Sequence, residues 1–336
     1  METEFLKVTQ ESIEKTCDII KNGDVAAIPT ETVYGLFADA TKSEACAKIF
    51  KAKDRPQDNP LIVHICDYDM LREVAAEVPE DAIKLAEAFW PGPLTMILKK
   101  SDLIPNSVSA GLDTVGIRMP SNPVILEVIS KTRLPLAGPS ANRSGRPSPT
   151  DGQTVYDDMV GRIPMVLDGG SCNIGVESTV ISLAGEQPIL FRPGYITQKQ
   201  LSQVLGKEVI LSHGITGELG KDEKVLSPGL KHKHYAPKAE VVIVNAPFEK
   251  YKELVEKEKA TAMCFEEYKD KINAPVVCYG SEKDSASQAV NLFSALRELD
   301  KIDADKVYAM MPSTEGVGLA VYNRLLRAAA FRVVNL

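Results

Sequence analysis

A dense set of hydrogen-bond donors lies in the segment Gly138–Thr150, G-P-S-A-N-R-S-G-R-P-S-P-T. Its hydroxyls, amide and two guanidinium groups follow a short apolar run, and its glycines and prolines favour turns and extended backbone. Donors of this kind at the end of a buried strand suit an anion, most often a phosphate. An ordinary polar surface loop has a similar composition, so the segment alone leaves both interpretations open. Because it lacks Gly-Lys-Ser/Thr, any nucleotide site here differs from a P-loop.

A second segment, Lys51–Ile65, reads K-A-K-D-R-P-Q-D-N-P-L-I-V-H-I. Lys51, Lys53 and Arg55 alternate at the end of a predicted helix, and in extended backbone all three would project to one side. Cations at a helix C-terminus also stabilise the helix dipole by about 0.3–1 kcal/mol, which is the interpretation we favour for Lys51. Arg55 lies beyond the helix in a loop bounded by prolines, so a functional role is favoured for it.

Two polar residues fall inside predicted strands. His64 lies in the apolar run Leu61–Ile65, on the same face as Ile62, and a lone histidine in a strand is more often a hydrogen-bonded core residue than a catalytic one. Arg118 lies in V-G-I-R-M-P, and a buried guanidinium needs an anionic partner. That partner is either a structural carboxylate or a substrate, and the residues alone leave both open.

Further donors follow the ends of predicted strands. Thr30 and Thr32 come after Val25–Pro29, Ser178 opens another strand, and Arg192 stands in L-F-R-P-G. Open α/β sheets bind ligands at the carboxyl ends of their strands. Each residue also has an ordinary explanation as strand or turn chemistry, but their joint occurrence in one domain favours a site.

No Ser-His-Asp or Cys-His order is evident among the four histidines of the chain. His232 and His234 stand among lysines without carboxylate or cysteine companions, so we predict no metal site in the protein. Cations and donors without an obvious nucleophile fit phosphoryl or nucleotidyl transfer, in which catalysis is mostly positioning and charge stabilisation.

Length and composition set the wider limits. The chain has 336 residues, 44% hydrophobic and 25% charged, which is typical of a globular protein with two domains. Its net charge of −7 argues against a general nucleic-acid binder. Six scattered cysteines indicate reduced thiols, and neither a signal peptide nor a run of about 18 apolar residues is evident. We therefore predict a cytoplasmic protein without a membrane span.

The elements that must position these residues are predicted from periodicity. Residues 1–195 predict a mixed, twisted α/β sheet domain, residues 196–239 a linker or lid segment, and residues 240–336 a small, Rossmann-like, doubly wound α/β domain. The predicted strands are Val25–Pro29, Leu61–Ile65, Leu94–Leu98, Val115–Met119, Met165–Leu167, Ser178–Ser182, Val241–Val244, Thr261–Phe265, Val276–Tyr279 and Lys306–Met310. The predicted helices are Gln10–Lys21, Ser43–Ala52, Glu80–Phe89, Pro123–Ser130, Gly152–Met159, Gln198–Leu205, Pro247–Glu258, Ser285–Leu299 and Val317–Ala329.

Together these segments resemble the threonylcarbamoyl-AMP synthases, the YrdC-like enzymes of tRNA modification. The resemblance rests on P-T-E-T-V-Y-G-L (29–36), K-A-K-D-R-P-Q-D-N-P-L-I-V-H (51–64), W-P-G-P-L-T (90–95), G-I-R-M-P (116–120), P-S-A-N-R-S-G-R-P-S-P-T (139–150), E-S-T-V (177–180) and R-P-G (192–194). The segment S-P-G-L-K-H-K-H-Y-A-P (227–237) and the α/β tail resemble the longer, two-domain form. The resemblance implies a nucleotidyltransferase that forms threonylcarbamoyl-AMP and pyrophosphate from L-threonine, bicarbonate or CO2, and ATP, for t6A37 modification of tRNAs reading ANN codons.

The resemblance also implies roles for individual residues. The threonine pocket would be lined by Thr32, His64, Arg118, Gly138 and Ser178, with Arg118 on the substrate carboxylate. ATP would be held by Arg55, Asn59, Thr114, Ser140, Ser148, Arg192 and Tyr235. Lys53 and Arg55 would stabilise the phosphates as catalytic residues, and Mg²⁺ would accompany ATP, held more by phosphate oxygens and water than by protein.

A closed site is expected, because a carbamate and an acyl-adenylate both hydrolyse easily. The proline-bounded arm Ser227–Pro237, which carries Tyr235, is the expected lid, and deleting it should raise ATP hydrolysis relative to adenylate formed. Transient contact with a threonylcarbamoyl transferase complex and weak tRNA binding are further expectations.

Two alternatives remain: a carbamoyl-transfer enzyme and, from another functional class, a protein without catalysis. A related domain occurs in hydrogenase-maturation proteins that use carbamoyl phosphate, although those chains carry C-x-x-C modules that are absent here. An RNA-binding or regulatory protein without catalysis is the second, for which residues 114–146 would supply a basic patch.

Overall fold

The computed structural model describes residues 1–215, 217 and 235–336. Its elements form an 11-stranded mixed sheet and a separate 5-stranded sheet, each with its own helices and apolar core. The predicted fold class, a mixed α/β domain followed by a smaller doubly wound one, is confirmed.

The first sheet has the strand order β1-β8-β2-β3-β7-β4-β6-β5-β9-β10-β11. Its strands are β1 (Glu4–Lys7), β2 (Ala26–Ile28), β3 (Gly35–Asp39), β4 (Ile62–His64), β5 (Leu94–Lys99), β6 (Thr114–Arg118), β7 (Leu136–Gly138), β8 (Met165–Asp168), β9 (Thr179–Ser182), β10 (Ile189–Arg192) and β11 (Ile210–Leu211). The helices that accompany it are α1 (Gln10–Lys21), α2 (Ser43–Lys53), α3 (Tyr68–Val74), α4 (Glu80–Phe89), α5 (Asn106–Ser109), α6 (Pro123–Thr132), α7 (Gly152–Met159) and α8 (Gln198–Leu205).

The register of the central strands brings polar residues together. Strands β4 and β6 run parallel with His64 beside Arg118, and β7 lies antiparallel on the other side of β4, with Gly138 beside Ile62. On its far side, β6 pairs with β5 so that Arg118 faces Thr95. Because neighbouring strands lie about 4.8 Å apart, residues far apart in sequence meet at one end of the sheet.

Local sequence signals explain several helix ends. Asn122 caps α6 through a bond from the Val124 N–H, and Pro123 occupies the first turn. Asp151 caps α7 directly after the donor-rich segment, and Thr197 forms a capping box at the start of α8. These caps fix where the loops around the sheet begin and end.

The second sheet is parallel throughout, with the order β14-β13-β15-β12-β16. Its strands are β12 (Glu240–Asn245), β13 (Thr261–Cys264), β14 (Val276–Cys278), β15 (Lys306–Met310) and β16 (Val333–Asn335), and its helices are α9 (Phe248–Glu258), α10 (Ser285–Lys301) and α11 (Gly318–Ala328). We call residues 240–336 the C-terminal unit. Strands buried on both faces by helices explain why their apolar runs show little alternation.

The sequence prediction missed several short elements. Strands β1, β3, β7, β10, β11 and β16 and helices α3 and α5 are not among the predicted ones. Helix α2 continues to Lys53, so the backbone at Lys51 and Lys53 is helical, the extended case does not apply, and the two side chains do not share a face. Lys51 is exposed, whereas Lys53 is buried.

The segment after residue 195 lies against the first sheet. Helix α8 packs on α4, and β11 pairs in parallel with β10 at the sheet edge. No helix in the described part of the chain combines the length and the apolar character that crossing a bilayer requires.

Candidate functional site

A cavity opens beside the central strands β3, β4, β6 and β7, where they meet the donor-rich segment. We call it the central cavity. Among its lining residues are Thr30, Thr32, Phe37, Lys53, Arg55, His64, Arg118, Gly138, Ser140, Asn142, Ser144, Glu177, Ser178, Arg192 and Tyr235. They come from strand ends, from the end of α2 and from the loops between, so the sheet brings together residues spread over more than half of the chain.

One wall of the central cavity is cationic. Burial lowers the pKa of Arg55 to about 10, and burial likewise lowers that of Arg192 to about 10. Arg55 Nη2 makes only long contacts, 3.4 Å to the carbonyl oxygens of Asn59 and Pro60, and its buried Nε has no partner among the described residues. An orphan donor on a buried cation is costly unless a ligand satisfies it, so this wall is built to receive an anion.

Arg192 is held in place by Ser178. Its Nε donates to the Ser178 carbonyl at 2.9 Å, and its Nη2 donates to Ser178 Oγ at 3.0 Å. Ser178 Oγ also lies 2.7 Å from Thr95 Oγ1. The guanidinium is therefore fixed before any ligand arrives, which reduces the ordering cost of binding.

The donor-rich segment is braced by Lys53. This lysine is 1% exposed, and its Nζ donates to the carbonyl oxygens of Ser140 and Asn142. Its own carbonyl accepts from the Ser144 N–H at 2.9 Å. Burial lowers the pKa of Lys53 well below its ordinary value, with the Arg55 charge acting in the same direction. The hydrogen bonds of Lys53 therefore serve mainly to hold the shape of the donor-rich segment.

A second part of the cavity lining carries Arg118, whose anionic partner in this structure is a protein carboxylate. Arg118 Nη2 lies 2.6 Å from Glu31 Oε1 as an ion pair, although these atoms do not meet hydrogen-bond geometry. Its Nη1 donates to Thr32 Oγ1 at 3.0 Å, and its Nε donates to the Gly92 carbonyl at 3.3 Å. Burial would raise the pKa of Glu31, but Arg118 lowers it below its usual range. Of the two partners left open by the sequence, the structure contains the carboxylate.

His64 is a neutral histidine at this wall. It is 4% exposed, and burial lowers its pKa to about 3, with the nearby Arg118 charge adding to the effect. Its Nδ1 lies 3.2 Å from the Ile62 carbonyl oxygen, and its ring meets Phe37 edge-on at 4.9 Å between centroids. A neutral ring beside Arg118 leaves that guanidinium as the cation of this wall.

His64 predicts a distinct acid sensitivity. Its pKa in the folded protein lies below the ordinary histidine value of 6.5, so the unfolded chain binds the proton more readily. The contribution of neutral His64 to the free energy of unfolding is fully present above pH 6.5. It is lost as the pH falls toward 3, by up to about 1.4 kcal/mol per pH unit. Urea unfolding at pH 7 and pH 5 should therefore show wild type losing about 2 kcal/mol more than His64→Gln. Equal losses in both proteins would contradict a buried neutral His64.

Gly138 occupies a position that admits no side chain. A Cβ there would lie 2.4 Å from Phe37 Cδ1 and 2.8 Å from the Leu36 carbonyl oxygen. We expect Gly138→Ala to lower the free energy of unfolding by about 1–3 kcal/mol and to push the Phe37 ring toward His64. Gly185→Ala is the matched control, because a Cβ there meets nothing within 4 Å. If chemical denaturation gives the two variants equal stability, the close approach at Gly138 is wrong.

Three predicted site residues do not line the central cavity. Asn59 is buried behind Arg55 with its Oδ1 unpartnered, and Ser148 donates to Glu177 Oε1 at 2.6 Å. Thr114 begins β6, at the end opposite Arg118, and lines a smaller neighbouring cavity that shares Pro60 and Ile62. At about 3.3 Å per residue, the length of β6 separates Thr114 from Arg118 by roughly 13 Å.

Sequence reasoning gave no role to several residues at the cavity. Glu177 is a carboxylate in a cationic pocket, and its E-S-T-V context gave no sign of that. Phe37 lies on β3, which was not predicted. Asn142 was counted among the loop donors, but its Nδ2 donates to the Arg143 and Arg146 carbonyls and so shapes the loop. Residues 218–234, including His232, His234 and most of the expected lid, lie outside the described residues.

Comparison with known proteins places this geometry in a family. Residues 18–194 match the family model Sua5_yciO_yrdC, described as telomere recombination, and residues 196–330 match that of the threonylcarbamoyl-AMP synthase C-terminal domain. The chain belongs to the threonylcarbamoyl-AMP synthase family. Curated synthases of Pyrococcus abyssi and Bacillus subtilis are 40% and 41% identical over 98% and 99% of this chain, and 97% of each relative is covered.

A solved structure agrees with this membership of the threonylcarbamoyl-AMP synthase family. The crystal structure of P. abyssi Sua5 complexed with L-threonine is 39% identical, with a TM-score of 0.91 over 100% of this chain and 99% of that one. The resemblance noted in the sequence is confirmed, and so is the predicted enzyme class, a nucleotidyltransferase.

The described cavity residues offer few carboxylate oxygen ligands for a magnesium ion. Glu177 is the one carboxylate among the described residues that line it, and its two oxygens accept from Ser148 and Arg324. Mg²⁺ prefers free carboxylates, phosphates and water, so these residues do not form a protein cage for it.

Proposed function

We propose that this protein forms threonylcarbamoyl-AMP and pyrophosphate from L-threonine, bicarbonate or CO2, and ATP. The observation that carries the proposal is the single cavity with two chemically different walls. One wall holds Arg55, Arg192 and the braced donor loop, which suit a triphosphate. The other holds Arg118, Thr32 and neutral His64 in a small, polar recess, which suits an amino acid.

The proposed roles follow the cavity walls. Thr32, His64, Arg118 and Ser178 bind threonine, while Gly138 leaves room for it. Arg118 meets the threonine carboxylate with the N–H groups that Thr32 and Gly92 do not use, while Glu31 keeps the guanidinium oriented. The relative from P. abyssi, crystallised with L-threonine, supports an amino-acid ligand for this fold.

The ATP side carries the catalytic charge. Arg55 and Arg192, with Ser140 and Tyr235, hold the nucleotide, and Lys53 keeps the Ser140 and Asn142 carbonyls turned away from the phosphates. Asn59 and Ser148 act from behind the lining, and Thr114 contacts the part of ATP that extends toward the smaller cavity.

The chemistry divides into two bond-forming steps. The threonine amine attacks the carbon of CO2 and loses a proton, or attacks the carbon of bicarbonate with loss of water, and either route gives a carbamate. A carbamate oxygen then attacks the α-phosphorus of ATP. The bond to pyrophosphate breaks, and Arg55 offsets the charge that builds on the leaving group. Mg²⁺, held by phosphates and water, supplies further charge neutralisation when bound. Tyr235 belongs to the arm that would exclude water.

The product would serve t6A37 formation in tRNAs reading ANN codons. We propose that it passes to a threonylcarbamoyl transferase complex by transient contact and that direct tRNA binding is weak. The net charge of −7 supports weak tRNA binding, because proteins that bind nucleic acids tightly usually carry a basic surface. We further propose residues 1–195 as the catalytic domain, 196–239 as linker and lid, and 240–336 as a separate domain.

A product assay tests the proposal. Purified protein with ATP, bicarbonate and labelled L-threonine should release pyrophosphate and form a labelled adenylate, and omission of threonine should stop both. Carbamoyl phosphate in place of threonine and bicarbonate separates the carbamoyl-transfer alternative, because only that alternative then exchanges pyrophosphate with ATP. RNA binding without threonine-dependent pyrophosphate release would favour a non-catalytic protein and overturn the proposal.

A further inference from the structure

Arg324 of the C-terminal unit reaches into the wall of the central cavity. It lies on α11, is 0% exposed, and its Nε donates to Glu177 Oε2 at 3.0 Å. Glu177 lines the cavity and accepts from Ser148 through its other oxygen. Burial would raise the pKa of Glu177, but Arg324 and Arg192 lower it below its usual range, so the carboxylate stays charged. A buried ion pair therefore joins the two parts of the chain at the site.

The same guanidinium ties together the segments that hold Arg192. Arg324 Nη2 donates to the Glu177 carbonyl at 3.3 Å, and Nη1 donates to the Pro193 carbonyl at 2.6 Å. Glu177 precedes Ser178, which accepts from Arg192, and Pro193 follows Arg192 directly. The planar guanidinium of Arg324 thus contacts Glu177 and Pro193, the residues next to Ser178 and Arg192. A lysine ammonium lacks the fixed, planar set of donors that this arrangement requires.

The interface around Arg324, between the loops of the first sheet and the C-terminal unit, is closely packed. Gly175 has φ of +81°, and a Cβ there would lie 2.3 Å from the Val290 Cα on α10. Val33 and Val176 of the first sheet's loops pack in the apolar core of the C-terminal unit. Tyr235, at the cavity, packs on Phe293 of α10 with ring centroids 5.1 Å apart. Because the interface is close-packed, a substitution at Arg324 should change the position of Glu177.

The charge of Glu177 gives the pair a specific consequence. An unpaired carboxylate among Arg55, Arg192 and the donor loop would neutralise cations meant for a triphosphate and would repel its negative charge. Threonine carries no net charge at neutral pH and would be affected far less. Loss of the partner of Glu177 should therefore weaken ATP binding selectively.

We propose that Arg324 is a positioning residue for the ATP side of the central cavity, acting through Glu177 and Pro193. The inference rests on the proposed function in that it takes ATP as the ligand of this wall. It deepens that function by making the C-terminal unit part of nucleotide recognition, with no contact between Arg324 and the reacting atoms.

Arg324→Met in the full-length protein is the first test. We expect KM for ATP to rise about tenfold or more, KM for threonine to change less than twofold, and Arg324→Lys to fall between wild type and Arg324→Met. Arg332→Met is the control, because Arg332 is an arginine of the C-terminal unit that pairs with Glu240 and does not line the central cavity. Circular dichroism and urea unfolding establish that each variant folds. A shared rise in both KM values, or the same ATP effect in Arg332→Met, would overturn the proposal.

A double-mutant cycle with Glu177→Gln gives a second, independent test. Because glutamine removes the charge that Arg324 offsets, Arg324→Met should raise KM for ATP less than threefold in that background. Additive effects would show that Arg324 does not act through Glu177. Calorimetric binding of a non-hydrolysable ATP analogue reports the same differences without turnover. If wild type binds the analogue but forms no adenylate, the proposed reaction fails while this inference is still tested.

Discussion

Arg55→Ala should reduce threonine-dependent pyrophosphate release by about 10²–10³-fold, the effect expected when a cation that stabilises a charged transition state is removed. Its Nε is a buried donor without a partner among the described residues, and its Nη2 makes only long contacts. Little structure depends on those contacts. Burial and the Arg192 charge both lower the pKa of Arg55, which means that the folded protein disfavours its positive charge. Removal of the guanidinium therefore removes a desolvation and electrostatic cost. Stability should be unchanged or slightly higher.

Stopped assays of pyrophosphate and adenylate, beside urea unfolding, separate these two effects. Arg143→Ala is the matched control, because Arg143 is a neighbouring arginine whose exposed side chain pairs with Asp54 and does not line the cavity. We expect it to keep activity within about twofold, as surface substitutions usually do. Near-normal turnover by folded Arg55→Ala would remove Arg55 from the catalytic role proposed for it.

The sequence singled out residues of the cationic wall because its signals are local. The donors of the segment 138–150 follow one apolar run, and Arg55 lies beyond a helix in a loop bounded by prolines, so composition and the ends of elements were enough. Helices α1, α4 and α7 begin and end as predicted, since each combines a helical period with clear boundary residues. His64 and Arg118 were each placed in a strand, although only the sheet order makes them neighbours.

Features that depend on distant residues could not be read from the sequence. Arg324 lies 147 positions from Glu177, and nothing in the α11 pattern distinguishes it from a surface arginine. Glu31 follows the predicted strand Val25–Pro29, but its pairing with Arg118 depends on the fold of the loop between β2 and β3. The short strand β3 has buried residues on both faces, so it shows no alternation to detect.

Lys53→Met should both destabilise the protein and lower its activity. Methionine keeps the length of the side chain but removes the donors to the Ser140 and Asn142 carbonyls. Each buried carbonyl left unsatisfied costs about 1–3 kcal/mol, partly offset because a buried amine is itself costly. We expect a net loss of about 1–3 kcal/mol in unfolding free energy. A loop displaced by about 1 Å should cost about 10²-fold in adenylate formation.

The pH dependence of this loss identifies the cause. The pKa of Lys53 is lower in the folded protein than its ordinary 10.5, so the unfolded chain binds more protons and wild-type stability rises with pH up to that value. The stability difference between wild type and Lys53→Met should therefore widen from pH 7 to pH 9. Lys51→Met, on the exposed side of the same helix, should lose at most about 1 kcal/mol with no such trend. A constant difference would mean that burial does not lower the pKa of Lys53. Wild-type stability in Lys53→Met would mean that the loop does not depend on the Lys53 hydrogen bonds.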